Sequence, residues 1–280
     1  MDEISVRTAT LLQVIHGMDV SAYDPSFFRA TLERRSDDLG LADSSAYPEC
    51  LKDDPEEAAR LDEALRISYS RFFRDPLSFA MLECRVLPEL LARKPEGGEI
   101  RVWSAGCASG QEAYSIAILL DEAIRTSRKS LRYHIFATDA NEACVASARE
   151  GLFTQDDLKD VKLGQLETCF DRVGGAYSVV PRLRQYIDFS VHDLLDRTAT
   201  HPPDSIYGDF DVVFCSNVLY YYRNVFRTLI LERLSRSLSA SGVLFTDATE
   251  KSFLSGHASF HPLDPAAPVF VKRAHRFTSK

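Results

Sequence analysis

The sequence predicts an α/β protein whose core is a doubly wound parallel sheet, preceded by a purely helical segment. Three observations carry that prediction. Beyond Gly98, β-prone runs alternate with amphipathic helical stretches, the grammar of successive βαβ units. The first such run, Ile100 to Ser104, leads through Gly106-Cys-Ala-Ser-Gly110 straight into a helical pattern from Gln111 to Arg125. Residues 1 to about 92, by contrast, repeat their apolar positions at helical spacing and contain no alternating strand.

Composition narrows the class. A chain of 280 residues suits an α/β core with a smaller accessory domain, divided here into 1–94 (helical domain and the start of a linker) and 95–280. Thirty-three basic against 41 acidic side chains give a net charge of −8, which argues against general nucleic-acid binding. The six cysteines are scattered without Cys-x-x-Cys or Cys/His clusters, so no metal site and no disulfide framework is expected, only free thiols of a reducing cytosol. No run of 18 apolar residues occurs, and the acidic start lacks a leader's apolar core; a soluble cytoplasmic protein without membrane insertion is expected.

In the helical segment, Leu11, Leu12 and Ile15, then Phe27, Phe28 and Leu32, mark two apolar stripes, with Ser21 and Asp24-Pro25 as start signals. Asp53-Asp54-Pro55-Glu56-Glu57 opens another helix with acids in its first turn. Pro76 sets a boundary before one more helix through Leu91, and Lys94 to Gly98 is the linker. Strands follow at Ile100–Ser104, Tyr133–Thr138, Tyr186–Val191, Asp211–Cys215, Gly242–Phe245 and Val269–Arg273, with helices at Asn141–Glu150 and about 224–238. Between about 154 and 185 the alternation breaks; Gly174-Gly175 before Ala176-Tyr-Ser-Val-Val180 predicts a hairpin in a small inserted β-subdomain.

In a doubly wound sheet ligands collect at the carboxyl ends of the strands. Here those ends offer bare backbone at Gly106 and Gly110, a carboxylate at Asp139, His192-Asp193, and Asn217. The Gly-x-x-x-Gly spacing is not the dinucleotide pattern Gly-x-Gly-x-x-Gly. Glu112 lies in the first turn after the loop, as a dipole-compensating residue or as a carboxylate for a cationic ligand. Arg74, between two phenylalanines and a proline, offers either a partner for Asp75 or a fixed guanidinium for a bidentate carboxylate.

Taken together, Phe72-Phe-Arg-Asp-Pro76, Val102-Trp-Ser-Ala-Gly-Cys-Ala-Ser-Gly-Gln-Glu-Ala-Tyr-Ser115, Ala137-Thr-Asp139, Ala148-Arg-Glu-Gly151, Phe214-Cys-Ser-Asn-Val218 and Gly242-Val-Leu-Phe245 resemble, in order, the chemotaxis receptor methyltransferases of the CheR family. The resemblance implies a class I S-adenosylmethionine-dependent methyltransferase (Rossmann-like) core, with S-adenosylmethionine as donor and S-adenosylhomocysteine as product. It implies glutamate side chains on chemoreceptor cytoplasmic helices as acceptors, and a β-subdomain that meets the receptor, including a receptor C-terminal peptide. A basic helix carrying Arg29, Arg34 and Arg35 would face acidic receptor surface. By the same resemblance Arg74 and Tyr221 orient the reacting groups. Donor contacts fall on Ser68, Ser70 and Arg74, on Gly106, Gly110 and Glu112, and on Asp139, Asp193, Leu194, Asn217 and Val218.

The chain departs from the family pattern at Gln111 and Ala113, where Glu and Pro are usual, and at Ser68 and Ser70, Asp193 and Ser216. Its closing Gly-His-Ser-Glu reads Asp247-Ala-Thr-Glu250. A glutamate with a pKa of about 4.3 is already ionised at neutral pH. Its attack on a sulfonium methyl therefore needs alignment and desolvation rather than a general base. The alternative is a regulatory relative that binds donor or product in a signalling complex without turnover.

Overall fold

The structure, a computed structural model, describes residues 2–196 and 199–273; residues 274–280 of the expected second domain lie outside it. By its internal contacts the chain forms two compact units, one of residues 1–67 with 218–228, the other built from 68–217 and the chain after 228.

The first unit contains α1 (Glu3–His16), α2 (Pro25–Asp38), α3 (Tyr47–Asp53) and α4 (Pro55–Leu65). Asp-Pro pairs start two of them: Asp24 and Asp54 accept first-turn backbone N–H groups, and the following proline occupies a position whose N–H would have no helical partner. Leu12, Phe28, Leu32, Leu51, Leu61 and Leu65 form the core. Beside it lies a buried polar triad. Arg35 donates Nε and Nη2 to the two carboxylate oxygens of Glu57 at 3.0 and 2.7 Å, and the Tyr47 hydroxyl donates to the same carboxylate at 2.7 Å. Burial pushes the Glu57 carboxyl up, but the bonds from Arg35 and Tyr47 outweigh it and leave its pKa below the ordinary value. This corrects the expectation of a three-arginine outer face: Arg29 and Arg34 are exposed, while Arg35 turns inward to neutralise a fully buried acid. The returning segment is held by aromatic and charged contacts. Tyr222 stacks on Tyr23 at 5.8 Å, Tyr221 packs on Phe27 at 4.7 Å, Asp24 N donates to Tyr221 O at 2.7 Å, and Arg227 pairs with Asp24 at 3.3 Å.

The second unit opens with α5 (Pro76–Met81) and α6 (Leu87–Arg93), joined by a π-helical turn over Leu82–Val86. The wider turn precedes Pro88, which has no N–H to bond the carbonyl of Cys84. Next come β1 (Glu99–Ala105), α7 (Gln111–Thr126), β2 (Arg132–Asp139), α8 (Glu142–Glu150) and β3 (Leu152–Phe153). Then follow α9 (Leu163–Cys169), β4 (Phe170–Val173), β5 (Ala176–Val179), α10 (Pro181–Arg184) and β6 (Ile187–Val191). The chain continues with β7 (Phe210–Phe214), α11 (Asn224–Ser237), β8 (Leu238–Phe245), α12 (Lys251–Leu254), β9 (Phe260–Pro262) and β10 (Val269–Lys272). The large sheet runs β6-β2-β1-β7-β8-β10-β9 and the small one β3-β5-β4, with Gly174-Gly175 at the β4–β5 hairpin.

Strands β6 to β8 are mutually parallel, so all of their carboxyl ends meet on one edge. The wholly parallel sheet read from the sequence ends there, because β10 pairs antiparallel with β8 and with β9. Strand β9 is three residues long and ends in a proline, too short to show a period. At the centre of the sheet the buried Trp103 on β1 donates Nε1–H to Thr138 Oγ1 on β2 at 2.9 Å, which satisfies its one polar atom.

The triad generates the first prediction. Glu57→Ala removes the buried counter-charge and leaves Arg35 only its exposed partner Asp38, so urea unfolding at pH 7 should show a loss of about 3 kcal/mol. Because the folded pKa of Glu57 is depressed, its contribution is present above the ordinary carboxylate range and disappears as pH falls through the folded value. The wild-type advantage over the variant should therefore shrink in acid, below about pH 4.

Candidate functional site

The parallel strand ends bring Gly106, Gly110, Asp139, Asp193 and Asn217 to one edge of the second unit. After β1 the chain takes left-handed backbone at Gly106, Ala108 and Gly110, with φ of 89°, 46° and 90°. Gly106 N and Cys107 N both donate to Thr138 O on β2, at 2.8 and 2.9 Å. Asp139, at the end of β2, accepts from Ala108 N at 2.8 Å on one carboxylate oxygen and from Asn141 N at 2.9 Å on the other. Asn141 caps α8, so Asp139 is not itself a helix cap but the strut between the glycine loop and the next helix. A Cβ on Gly110 would lie 2.9 Å from Ala148 Cβ, so the loop meets α8 at a distance that only glycine permits.

Glu112 turns into this region from the first turn of α7. Ser104 Oγ, on β1, donates to its Oε1 at 2.7 Å. Burial pushes the Glu112 pKa up to about 7; the Ser104 bond and the positive charge of Arg74 oppose the rise, and the Glu250 carboxylate adds to it. Arg74 lies in a segment fixed at Phe73, whose φ is 49° and whose N–H donates to Ser115 Oγ at 3.1 Å. Arg74 Nη1 donates to Tyr69 O at 3.1 Å, with the guanidinium 5.3 Å from the Tyr69 ring centre. Asp75 caps α5 by accepting from Leu77 N and Ser78 N. The guanidinium is therefore held by Tyr69, and its charge acts on Glu112 and Asp247.

At the end of β7, Asn217 has φ of 60°; its N–H donates to Glu250 Oε2 at 3.0 Å and its side chain bonds Asp247. Beyond β6, His192 N donates to Asp139 O at 3.0 Å, which brings Asp193 and the buried Leu194 to the same edge. Asp193 accepts from Leu195 N at 2.8 Å, and Leu194 O accepts from Arg233 at 2.6 Å. Ser68 is exposed and Ser70 half-buried on the approach to Arg74. Val218 and Tyr221 belong to the helical unit, where the Tyr220 and Tyr221 hydroxyls hydrogen-bond. Ser104 was passed over in the sequence, and Asp247 and Glu250 were noted only as the ends of a motif that departs from the family pattern, without a role. The rule that drew attention to the ends of the other strands applies equally to the turn after β8, where Asp247 and Glu250 stand. Burial holds the Cys107 and Cys215 thiols well above their usual pKa, hence protonated and poor nucleophiles.

With this geometry in view, residues 68–264 match the family model described as CheR methyltransferase, SAM binding domain. The chain belongs to the CheR methyltransferase family. It is 35% identical to chemotaxis protein methyltransferase 1 of Pseudomonas aeruginosa, over 76% of each chain. It is 33% identical to an uncharacterised 104.1 kDa protein of Rhodobacter capsulatus, over 96% of this chain and 28% of that protein's length. The probable biofilm formation methyltransferase WspC of Pseudomonas aeruginosa is 28% identical over 90% of this chain and 58% of its own.

The CheR core uses S-adenosylmethionine, and the donor set here fits it. Glu112, Asp247 and Glu250 outnumber the single guanidinium of Arg74, an excess of negative charge suited to a ligand carrying a sulfonium and an ammonium. Asp139 is an acceptor-only group oriented by two backbone N–H bonds, the chemistry a ribose diol requires.

Two outcomes are expected. Gly110→Ala forces a side chain onto left-handed backbone against α8; thermal unfolding should show about 1–3 kcal/mol of destabilisation, with weakened adenosylhomocysteine binding by calorimetry. Because the Glu112 pKa is raised to about 7, ionising it costs the ligand-free fold, and a ligand ammonium group placed beside it draws its proton off. Adenosylhomocysteine should bind more tightly as pH rises from about 6 to 8, releasing about half a proton at pH 7, and Glu112→Gln should abolish both effects.

Proposed function

We propose that this chain transfers the methyl group of S-adenosylmethionine to glutamate side-chain carboxylates on the cytoplasmic helices of chemoreceptors, as a protein-glutamate O-methyltransferase of sensory adaptation. The observation that carries this reading is Arg74. Its guanidinium is fixed by Tyr69 O and the Tyr69 ring, beside the strand-end carboxylates, where it can meet an anionic acceptor. The name of the Pseudomonas aeruginosa relative, a chemotaxis protein methyltransferase, supports methyl transfer within a chemotaxis system.

When bound, S-adenosylmethionine supplies a methyl group activated by its sulfonium. The chain's own residues have the remaining tasks. Gly106 and Gly110 give a side-chain-free path for the ligand, Asp139 accepts from its ribose hydroxyls, and Glu112 meets its ammonium group. Ser68, Ser70, Asp193, Leu194, Asn217 and Val218 complete the binding contacts. Arg74 binds and orients the acceptor carboxylate, with Tyr221 as a second orienting group. The acceptor arrives ionised, so alignment and exclusion of water are what the site contributes. The exposed Arg29 and Arg34 complement an acidic receptor surface, and the β3-β5-β4 sheet is the candidate dock for a receptor's C-terminal peptide.

Incubation with methyl-labelled donor and receptor cytoplasmic fragments should give label released as methanol by base. Absence of transfer to every cognate receptor would remove the reading. Arg74→Ala should lower kcat/KM by roughly 10²-fold, and Arg74→Lys should restore little, because an ammonium lacks the planar two-pronged geometry.

A further inference from the structure

The end of β7 is held by a side chain in place of a strand. In the parallel β7–β8 pair, Phe214 faces Phe245, and Cys215 N donates to Phe245 O at 2.9 Å, the final rung of the ladder. The next rung of a parallel ladder would come two residues later, from Asn217 N to a carbonyl of the neighbouring strand. Instead Asn217 N donates to Glu250 Oε2 at 3.0 Å. Glu250 is 0% exposed, and the same oxygen accepts from Thr246 Oγ1 at 2.8 Å and Asp247 N at 3.4 Å. The Asn217 side chain is gripped from the same turn by Asp247, itself fixed by Thr249 N at 2.8 Å.

We propose that Glu250 is a positioning residue of the methyl-donor site: its buried carboxylate fixes the left-handed backbone of Asn217, and donor binding depends on that bond. The inference rests on the reading that the donor binds across the strand ends at Asn217. Two physical points support it. A left-handed φ at a residue other than glycine is an unfavourable conformation that persists only where its surroundings impose it. A charge-assisted bond to a backbone N–H is stronger than a neutral one, and it repeats at Asn217 what Asp139 does for Ala108. A buried carboxylate is also a costly group for the fold, and an apolar residue would fill the same space without that cost.

The test compares wild type, Glu250→Gln and Glu250→Ala by calorimetry with adenosylhomocysteine, by donor KM and kcat, by thermal unfolding, and by the amide resonance of Asn217. The Gln variant keeps an oxygen acceptor and should bind within about threefold of wild type. The Ala variant should bind at least about tenfold more weakly, with KM for the donor rising more than kcat falls. In the Gln variant the Asn217 amide proton should move upfield, as a charge-assisted bond becomes a neutral one. An Ala variant that binds like wild type overturns the inference, and so does a Gln variant as weak as Ala. Should Ala fail to fold, the Gln variant decides: an unmoved Asn217 resonance overturns the inference. A wild-type protein that does not bind adenosylhomocysteine would instead remove the donor-site reading beneath it.

Discussion

The two hydrogen bonds that Asp139 accepts hold together the elements on which the site depends. One comes from Ala108 in the glycine loop, the other from Asn141 at the head of α8, while the Asp139 carbonyl receives His192 from the end of β6. The ends of β1, β2 and β6 thereby share one residue. The parallel register brings these ends to the same edge, and Asp139 turns that coincidence of topology into a fixed local geometry. Glu250 repeats the device one strand pair away, again with a carboxylate accepting from a backbone N–H in a left-handed stretch. Loops that must lie open to a ligand cannot be packed from both sides, and acidic side chains supply the order that packing does not.

Electrostatics follow from the same economy of position. The one guanidinium of Arg74 acts on both Glu112 and Asp247, yet burial, with the Glu250 carboxylate adding to it, leaves Glu112 a carboxyl ionised only in part at neutral pH. Arg74 is kept from closing on Asp75 because Asp75 caps α5 and Tyr69 holds the guanidinium from the other side. The charge of Arg74 thus remains near the strand ends and is not consumed by its neighbour in sequence.

Much of this was legible beforehand where local signals and tertiary packing agree. The β1-loop-α7 unit was plain because a β-prone run, two glycines and a 3.6-residue period follow one another without interruption. The Asp24-Pro25 start of α2 was equally plain. Strand β9 was not, because three residues have no measurable period. Arg35 was misjudged for a different reason. Phe28, Leu32 and Arg35 occupy one stripe of α2, so spacing alone puts Arg35 on the buried face; the charge of the residue type argued the other way, and Glu57 on α4 resolved the conflict. The strand-end residues Gly106, Gly110, Asp139, Asp193 and Asn217 could be picked out by residue type, whereas Ser104 became visible only through its partner, Glu112.

The segment 218–228 has a consequence for how this chain can be cut or recombined. It lies inside the stretch 68–264 matched by the CheR domain, yet its partners Tyr23, Asp24 and Phe27 belong to the amino-terminal segment at the start of α2. A fragment beginning at Ser68 would carry Tyr221, Tyr222 and Arg227 stripped of the surfaces they pack on. The stretch that matches as a domain is therefore not an autonomous module. Any genetic shuffling that exchanges the leading helices must also exchange, or re-fit, eleven residues encoded far downstream.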